Sequence, residues 1–314
     1  MTINSVGLKI GHAQDEAALT GCTVFLCPEG SVASSDIRGM GPGTRESALL
    51  RPERPTSDIN AVLLAGGSAF GLAAADGVMQ WLAERDIGHW TPVKKIPLVP
   101  AAIVYDLLFS FGKAMPDAAM GRAACDAAVE NNPMQGNVGA GTGVTVGKWG
   151  GFPGFMKSGF GMASATVNGA TVFAAAVVNA VGDVVAEDGS MLAGAVKEDG
   201  SWRVDENPYR IRPPRPDQTT MTNTTLVVLA TDVKLSKVDC NRLAQRAHDG
   251  MAIAIRPIHT THDGDIAFGI STGSVDAPFD LVANVGTELV AEAIRNAVRT
   301  ATSANGVPGL GDKQ

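Results

Sequence analysis

Residues 199–223, DGSWRVDENPYRIRPPRPDQTTMTN, run straight into TTLVVLATD, and this junction constrains the fold more than any other stretch. Pro208, Pro213, Pro214 and Pro216 stand among charges. Proline lacks an N–H and fixes φ, so this segment reads as a linker about 199–223 and not as helix interior or central strand. Leu226 to Ala230 is the opposite: an apolar run with two adjacent valines, the pattern of a buried strand. A core strand therefore begins abruptly, at Thr224 and Thr225, where a flexible tail ends. Two explanations stand: threonine simply favours strands, or the chain is cut here and one threonine becomes a catalytic N-terminus.

The rest of the chain has the means to build a large core. Its 314 residues are 45% apolar and 18% charged, which suits a globular fold of one large α/β domain or two smaller ones. With 37 glycines and only 5% aromatics, that core must come from Ala, Val, Ile and Leu. A net charge of −7 argues against a nucleic-acid surface, which needs clustered Lys and Arg. Cys22, Cys27, Cys125 and Cys240 form no CxxC pair and no zinc spacing, and they suit a reducing cytoplasm. The N-terminus lacks the layout of a signal peptide. The apolar stretches 96–111 and 171–186 are broken by Pro97, Pro100 and Asp106, or by Asn179 and Asp183, so no membrane span is expected.

Along the chain, residues 59–88 read as strand, glycine turn and helix, with Leu72, Val78 and Leu82 at helical spacing. Helices are expected over 100–112 and 116–130, the second opening at Pro116-Asp117. Asn168-Gly169 between β-type runs predicts a hairpin. After the Leu226 strand come a helix opening at Ser236 with Asp239 three residues on, a strand at 266–271, and a helix from about 287 to 300. Helices flanking partly antiparallel strands predict an α/β sandwich in a single domain, 1–314.

Several signatures fail on inspection. Ser68 in GGSAFG would need glycine at position 70 to form a nucleophile elbow, and Phe70 stands there. GAGTGVTVGKW lacks the first glycine of a phosphate loop, and Trp149 follows Lys148 where a hydroxyl should bind magnesium. HTTHDGDIAF crowds His259, His262, Asp263 and Asp265 together; a hydrogen-bonded turn explains it more simply than a metal site. In an extended segment Asp263 and Asp265 share a face. Such a pair gains meaning if a nucleophile nearby needs orienting, and a threonine at a cut site would. A threonine hydroxyl needs a base, and its own α-amine, with a pKa of about 7.7–8, can serve once it is freed.

Taken together, GLKIGHA, LLAGGSAFGL, AAIVYDL, GAGTGVTVGKWGG, AAAVVNAVGDVV, NTTLVVLATD and HTTHDGDIAF resemble the DmpA-like L-aminopeptidase/D-esterase family of self-processing amide hydrolases. That family includes β-peptidyl aminopeptidases and the 6-aminohexanoate-oligomer (nylon-oligomer) hydrolases. The resemblance implies a four-layer αββα sandwich, layered like the N-terminal-nucleophile hydrolases but with different strand connections. It implies cleavage between Asn223 and Thr224 into chains 1–223 and 224–314, with Thr224 as nucleophile. Lys148, Asp263 and Asp265 would lie beside that threonine, Asn179 against the reacting carbonyl, and Tyr105 near the oxyanion site. Asp263-Gly264-Asp265 stands where aminopeptidase members carry Ser-Gly-Glu, and threonine where they commonly carry serine. Both differences resemble the nylon-oligomer branch. A cytoplasmic homo-oligomer of four or more subunits, acting on small peptides or amide oligomers without metal or cofactor, is the expectation. Its rivals are a strict N-terminal aminopeptidase, an uncleaved binding or assembly protein, and a metallohydrolase.

Overall fold

The computed structural model describes residues 3–110, 112–150, 154–203 and 223–313. Three separate apolar cores, stacked one above another, give the architecture its layers.

The first sheet is built on a long N-terminal hairpin, β1 (Lys9–Asp15) with β2 (Thr20–Leu26). It is joined by β4 (Thr44–Arg45), β5 (Ala61–Ala65), β6 (Ala101–Ile103) and β7 (Val129–Glu130), in the order β4-β6-β5-β2-β1-β7. The second sheet holds β3 (Val32–Ile37), β10 (Phe160–Val167), β11 (Ala170–Asn179), β14 (Thr224–Val233) and β16 (Ile266–Val275), in the order β10-β11-β14-β16-β3. Short strands complete the set: β8 (Thr145–Val146) pairs with β9 (Met156–Lys157), and β12 (Asp183–Val185) pairs with β13 (Met191–Ala193) and β15 (Ile255–Arg256).

Helices α1 (Ala74–Ala83) and α3 (Ala118–Asp126) cover the outer face of the first sheet, where Val78, Leu82 and Ala124 meet Val24 and Leu63. A single turn, α2 (Leu107–Ser110), lies between them in sequence. Helices α4 (Lys237–Ala254) and α5 (Phe279–Arg299) cover the outer face of the second sheet through Ala244, Met251, Val290 and Ile294 against Val227 and Leu229. Between the sheets, Ile10, Phe25 and Leu64 pack against Phe173, Val177, Leu226, Val228 and Phe268. The four layers are thus αββα. Alternation explains how one strand serves two cores: in β14, Leu226 and Val228 face the other sheet while Val227 and Leu229 face the helices.

Local signals hold at several places. Asn168 and Gly169 take φ of 51° and 81°, the two left-handed positions that a type I′ hairpin needs, and β10 and β11 pair across them. Ser236 and Asp239 form a reciprocal capping box at the start of α4. Asp117 caps α3 by accepting the Met120 N–H, and Cys125 is a small buried residue on that helix.

Other expectations change. The helix expected over 100–112 is instead β6 followed by one helical turn, because Ala101, Ala102 and Ile103 pair in parallel with Leu63, Leu64 and Ala65 in the sheet. A short, nearly continuous apolar run has no periodicity to separate helix from buried strand, and a partner strand decides. The helix expected over 116–130 stops at Asp126, and the one expected from 287 starts at Phe279. The expected linker folds at its start, where Trp202 bridges Val196; from 204 to 222 it lies outside the described residues. All four cysteines are free thiols. Among the described residues no helix is long and apolar enough to cross a membrane, and no group of three or more His, Cys, Asp or Glu could hold a metal ion.

Candidate active site

β14 is the middle strand of the second sheet, and Thr224 is its first residue. Sheet pairing brings in the neighbours. On one side the antiparallel register sets Thr224 opposite Asn179, the last residue of β11. On the other, β14 runs parallel to β16, and the register extends back to an isolated bridge between Asn223 and Asp263. The segment Asp263-Gly264-Asp265 therefore meets Asn223-Thr224-Thr225 at the sheet's end. Thr224 has the same parity as Leu226 and Val228, so its side chain belongs to the layer between the sheets.

Thr224 is 4% exposed, and its hydroxyl donates a short hydrogen bond to the carbonyl oxygen of Asn223. The same oxygen accepts the Gly264 N–H at 2.9 Å. Only glycine fits at 264: a Cβ there would stand 2.8 Å from the Thr224 Oγ1 and 2.5 Å from the Gly41 carbonyl oxygen.

Asn179 is fully buried and ties three elements together. Its Nδ2 donates to the Tyr105 carbonyl at 2.9 Å, and its Oδ1 accepts from the Thr145 N–H at 3.2 Å and from the Lys148 Nζ at 2.6 Å. Lys148 also donates to the Asn179 carbonyl at 2.9 Å. Burial of the ammonium pushes the Lys148 pKa down to about 7, against the pull of the Asp263 and Asp106 carboxylates.

Asp263 and Asp265 are both fully buried. Asp263 accepts the Thr260 N–H at 2.9 Å and the Thr260 hydroxyl at 2.5 Å, while its other oxygen faces the Val181 N–H at 3.5 Å. Burial first, and the charge of Asp265 second, push its pKa up to about 6. Asp265 accepts the Thr225 N–H at 2.6 Å.

The residues expected from the sequence thus gather at one sheet end, with two differences from a ring around the Thr224 hydroxyl. Neither carboxylate bonds that hydroxyl: Asp265 grips the next peptide unit, and Asp263 braces the loop. Tyr105 joins through its carbonyl, and its phenol makes no hydrogen bond among the described residues. Sequence reasoning missed a second buried pair behind the site. Asp106 accepts the Thr20 hydroxyl and the Gly67 N–H, each at 2.7 Å. Burial raises its pKa to about 6, opposed by those bonds and by Lys157. Lys157, with no exposed surface, donates to the Val144 and Ser158 carbonyls, and burial lowers its pKa to about 7. The available signal was a lone charge in each of two apolar runs, IVYDLL and GFMKSG.

Two sheets face to face between helical layers, with polar groups gathered where a central strand begins, define an αββα fold of the N-terminal-nucleophile hydrolase kind. The model for peptidase family S58 matches residues 3–310, and the chain belongs to that family. A protein of Mycobacterium leprae described as an uncharacterized aminopeptidase is 38% identical, over 96% of this chain and 91% of that one. A 6-aminohexanoate-oligomer endohydrolase of Paenarthrobacter ureafaciens is 33% identical, over 87% of this chain and 75% of its own length. Among solved structures, a Burkholderia sp. β-aminopeptidase matches with a TM-score of 0.69 at 22% identity, over 98% of this chain and 89% of that one. The L-aminopeptidase D-Ala-esterase/amidase of Ochrobactrum anthropi, described as a new variant among the Ntn hydrolase fold, also scores 0.69, at 20% identity over 94% and 84%. The family makes this chain a peptidase, a hydrolase of amide bonds.

Proposed function

We propose that the chain cleaves itself between Asn223 and Thr224, and that Thr224, as the new N-terminus, is the nucleophile that hydrolyses external amides. The observation that carries this reading is the hydrogen bond from the Thr224 hydroxyl to the carbonyl of the residue before it. A hydroxyl held at that carbonyl can attack its carbon. The C–N bond then breaks, nitrogen takes a proton, and an Asn223 ester on the Thr224 oxygen remains. Water hydrolyses the ester, leaving an Asn223 carboxylate and a free Thr224 amine. The Gly264 N–H, 2.9 Å from the carbonyl oxygen, stands where negative charge develops.

In turnover, the freed amine takes the hydroxyl proton as the oxygen attacks a substrate carbonyl. It returns that proton to the substrate nitrogen as the C–N bond breaks and the product amine leaves, and water then hydrolyses the Thr224 ester to release the acyl group as a carboxylic acid. Lys148 and Asn179 orient the reacting groups from one side, Asp263 and Asp265 from the other, and Tyr105 borders the oxyanion position. Thr224 and Asn223 are only 4% and 6% exposed, so self-cleavage must precede access by substrate. We take the substrates to be small peptide-like or 6-aminohexanoate-type oligomer amides, and the working form to be a cytoplasmic homo-oligomer of four or more subunits. The Asp263-Gly264-Asp265 and threonine pattern favours the oligomer amides. A strict N-terminal aminopeptidase is the second reading, favoured by the higher identity to the mycobacterial protein described by that name.

Denaturing electrophoresis with N-terminal sequencing tests the proposal. The parent should give two bands, the smaller beginning at Thr224. Thr224→Ala should stay one folded, inactive chain, and Thr225→Ser should still cleave. A smaller band starting at Thr225, or turnover by Thr224→Ala, overturns the reading. Hydrolysis of capped and uncapped amide oligomers, with products identified by mass, separates the two substrate classes: a strict aminopeptidase leaves every capped oligomer intact.

A further inference from the structure

His259 takes no part in the chemistry just described, yet two costs are concentrated on it. Its backbone sits at φ 56°, a left-handed conformation uncommon for residues other than glycine. Its Nε2 is buried with no hydrogen-bond partner among the described residues. The His248 ring meets that of His259 edge-on, with centroids 4.7 Å apart. Burial lowers the His248 pKa to about 4, so no cation stands behind His259 from that direction.

Among the described residues, the one side-chain bond that His259 makes goes to the site. Its Nδ1 lies 2.8 Å from the Asp265 Oδ2, and its N–H reaches the same oxygen at 3.2 Å. A carboxylate accepts, so the ring proton sits on Nδ1. The other oxygen, Oδ1, takes the Thr225 N–H at 2.6 Å. Each Asp265 oxygen is therefore claimed by a different element, and rotation of the carboxylate would break both attachments.

We propose that His259 is a positioning residue: by holding Asp265 Oδ2, it locks Oδ1 onto the Thr225 N–H and so fixes the peptide unit that carries the Thr224 nucleophile. The inference rests on the reading of Thr224 as nucleophile. Its weight grows after the cut. Once the Asn223–Thr224 bond is gone, Thr224 is tethered on its C-terminal side alone, and the Asp265 clamp on Thr225 is the nearest polar anchor on that side. A catalytic geometry lost by about 1 Å costs on the order of a hundredfold in rate, so loosening this clamp should be visible in turnover.

The test uses residues that tolerate positive φ, so the backbone requirement is met throughout. His259→Asn keeps a side-chain N–H donor near the position of Nδ1; His259→Gly relieves the backbone and leaves Oδ2 with the main-chain N–H alone. Self-cleavage half-time and the kcat and KM of the cleaved enzyme are measured, with melting temperature as the check on folding. We expect His259→Gly to melt within a few degrees of the parent while kcat falls at least tenfold and KM changes little, and His259→Asn to stay within about threefold of the parent. Should the glycine chain fail to fold, the isosteric His259→Asp decides: a carboxylate facing Asp265 should slow turnover at least tenfold below His259→Asn. A folded His259→Gly with parental kcat, or a folded His259→Asn as slow as glycine, overturns the inference. So does an Asp variant equal to the Asn variant where it is used. Thr224→Ala runs alongside, so that activity in that chain marks failure of the nucleophile assignment and not of the His259 role.

Discussion

Replacing Lys148 with methionine keeps the length of the side chain and deletes its charge. The Nζ of Lys148 bonds both the Oδ1 and the carbonyl of Asn179, at 2.6 and 2.9 Å. Among the described residues, the Asn179 Oδ1 then retains the longer contact from the Thr145 N–H, at 3.2 Å. A hydrogen bond from a charged donor contributes about 1.5–3 kcal/mol, which at about 1.4 kcal/mol per tenfold is a slowing of roughly 10- to 150-fold. Lys148 as a whole residue is half-buried, so the lower end of that range is the expectation. The charge matters separately. Asp263, with a pKa raised to about 6, must lose its proton to brace the loop as an anion, and Lys148, with a pKa lowered to about 7, must keep one to act as a cation. Self-cleavage of the parent should then follow a narrow bell with apparent limbs near pH 6 and 7, properties of the coupled pair. In Lys148→Met the alkaline limb disappears. The acid limb moves up, because removing a nearby cation makes a carboxylic acid harder to ionise. Purified uncut chain, released from denaturant into buffers from pH 5 to 9 and sampled by electrophoresis, gives the rates. Cleavage of Lys148→Met within threefold of the parent, on the same pH profile, refutes the role assigned to Lys148.

Lys157→Met addresses stability and not chemistry. The folded pKa of Lys157, about 7, lies below its unfolded value of 10.5, so its contribution is fully present above 10.5 and is lost as pH falls through 7. Methionine removes that dependence, and the variant's stability relative to the parent should fall by about 4 kcal/mol between pH 7 and 10 in denaturant titrations; a flat difference would contradict the burial argument. Gly264→Ala forces a Cβ to within 2.8 Å of the Thr224 Oγ1, and should slow self-cleavage at least tenfold in a folded chain. Gly169→Ala, at φ 81° in a hairpin with open space around it, is the distant control: it should cost about 1 kcal/mol in melting experiments and leave the cleavage rate unchanged.

How far the sequence carried these conclusions depends on whether a feature was local. The Asn168-Gly169 hairpin, the Ser236–Asp239 capping box and the apolar run of β14 are each written within a few residues, and each folds as read. β6 is not: Ala101–Ile103 become a strand because Leu63, Leu64 and Ala65 offer them an edge, and nothing within 100–112 states that. The same holds at the site. The gathering of Asn179, Thr224 and Asp263 follows from strands distant in sequence, and it came from matching whole motifs to a family. Asp106 shows the limit in the other direction. It read as an interruption in an apolar stretch, and only its bonds to Thr20 and Gly67 show a buried acid between layers. His259 read as a turn residue for a similar reason: its positive φ and its grip on Asp265 both depend on where the loop returns to the sheet.

Register is the physical quantity on which the proposed chemistry turns. Side chains alternate along a strand with a period of two, so a slip of β14 by one residue would exchange its two faces. Thr224 would turn from the inter-sheet layer toward α4 and α5, and Thr225 would take its place. Leu226 and Val228, now in the core between the sheets, and Val227 and Leu229, now against the helices, would exchange as well. Both faces of β14 are buried and apolar, so hydrophobicity alone discriminates weakly between the two registers. What discriminates is polar: the Asn223 carbonyl on the Gly264 N–H, and the Thr225 N–H on Asp265. A one-residue slip would break both and leave buried groups unpaired, at about 1–3 kcal/mol each. The groups proposed to run the reaction are therefore also those that hold the strand in its register. Asp265→Ala should accordingly lower stability as well as rate, and a variant that lost activity while melting and exchanging its β14 amides like the parent would separate the two roles.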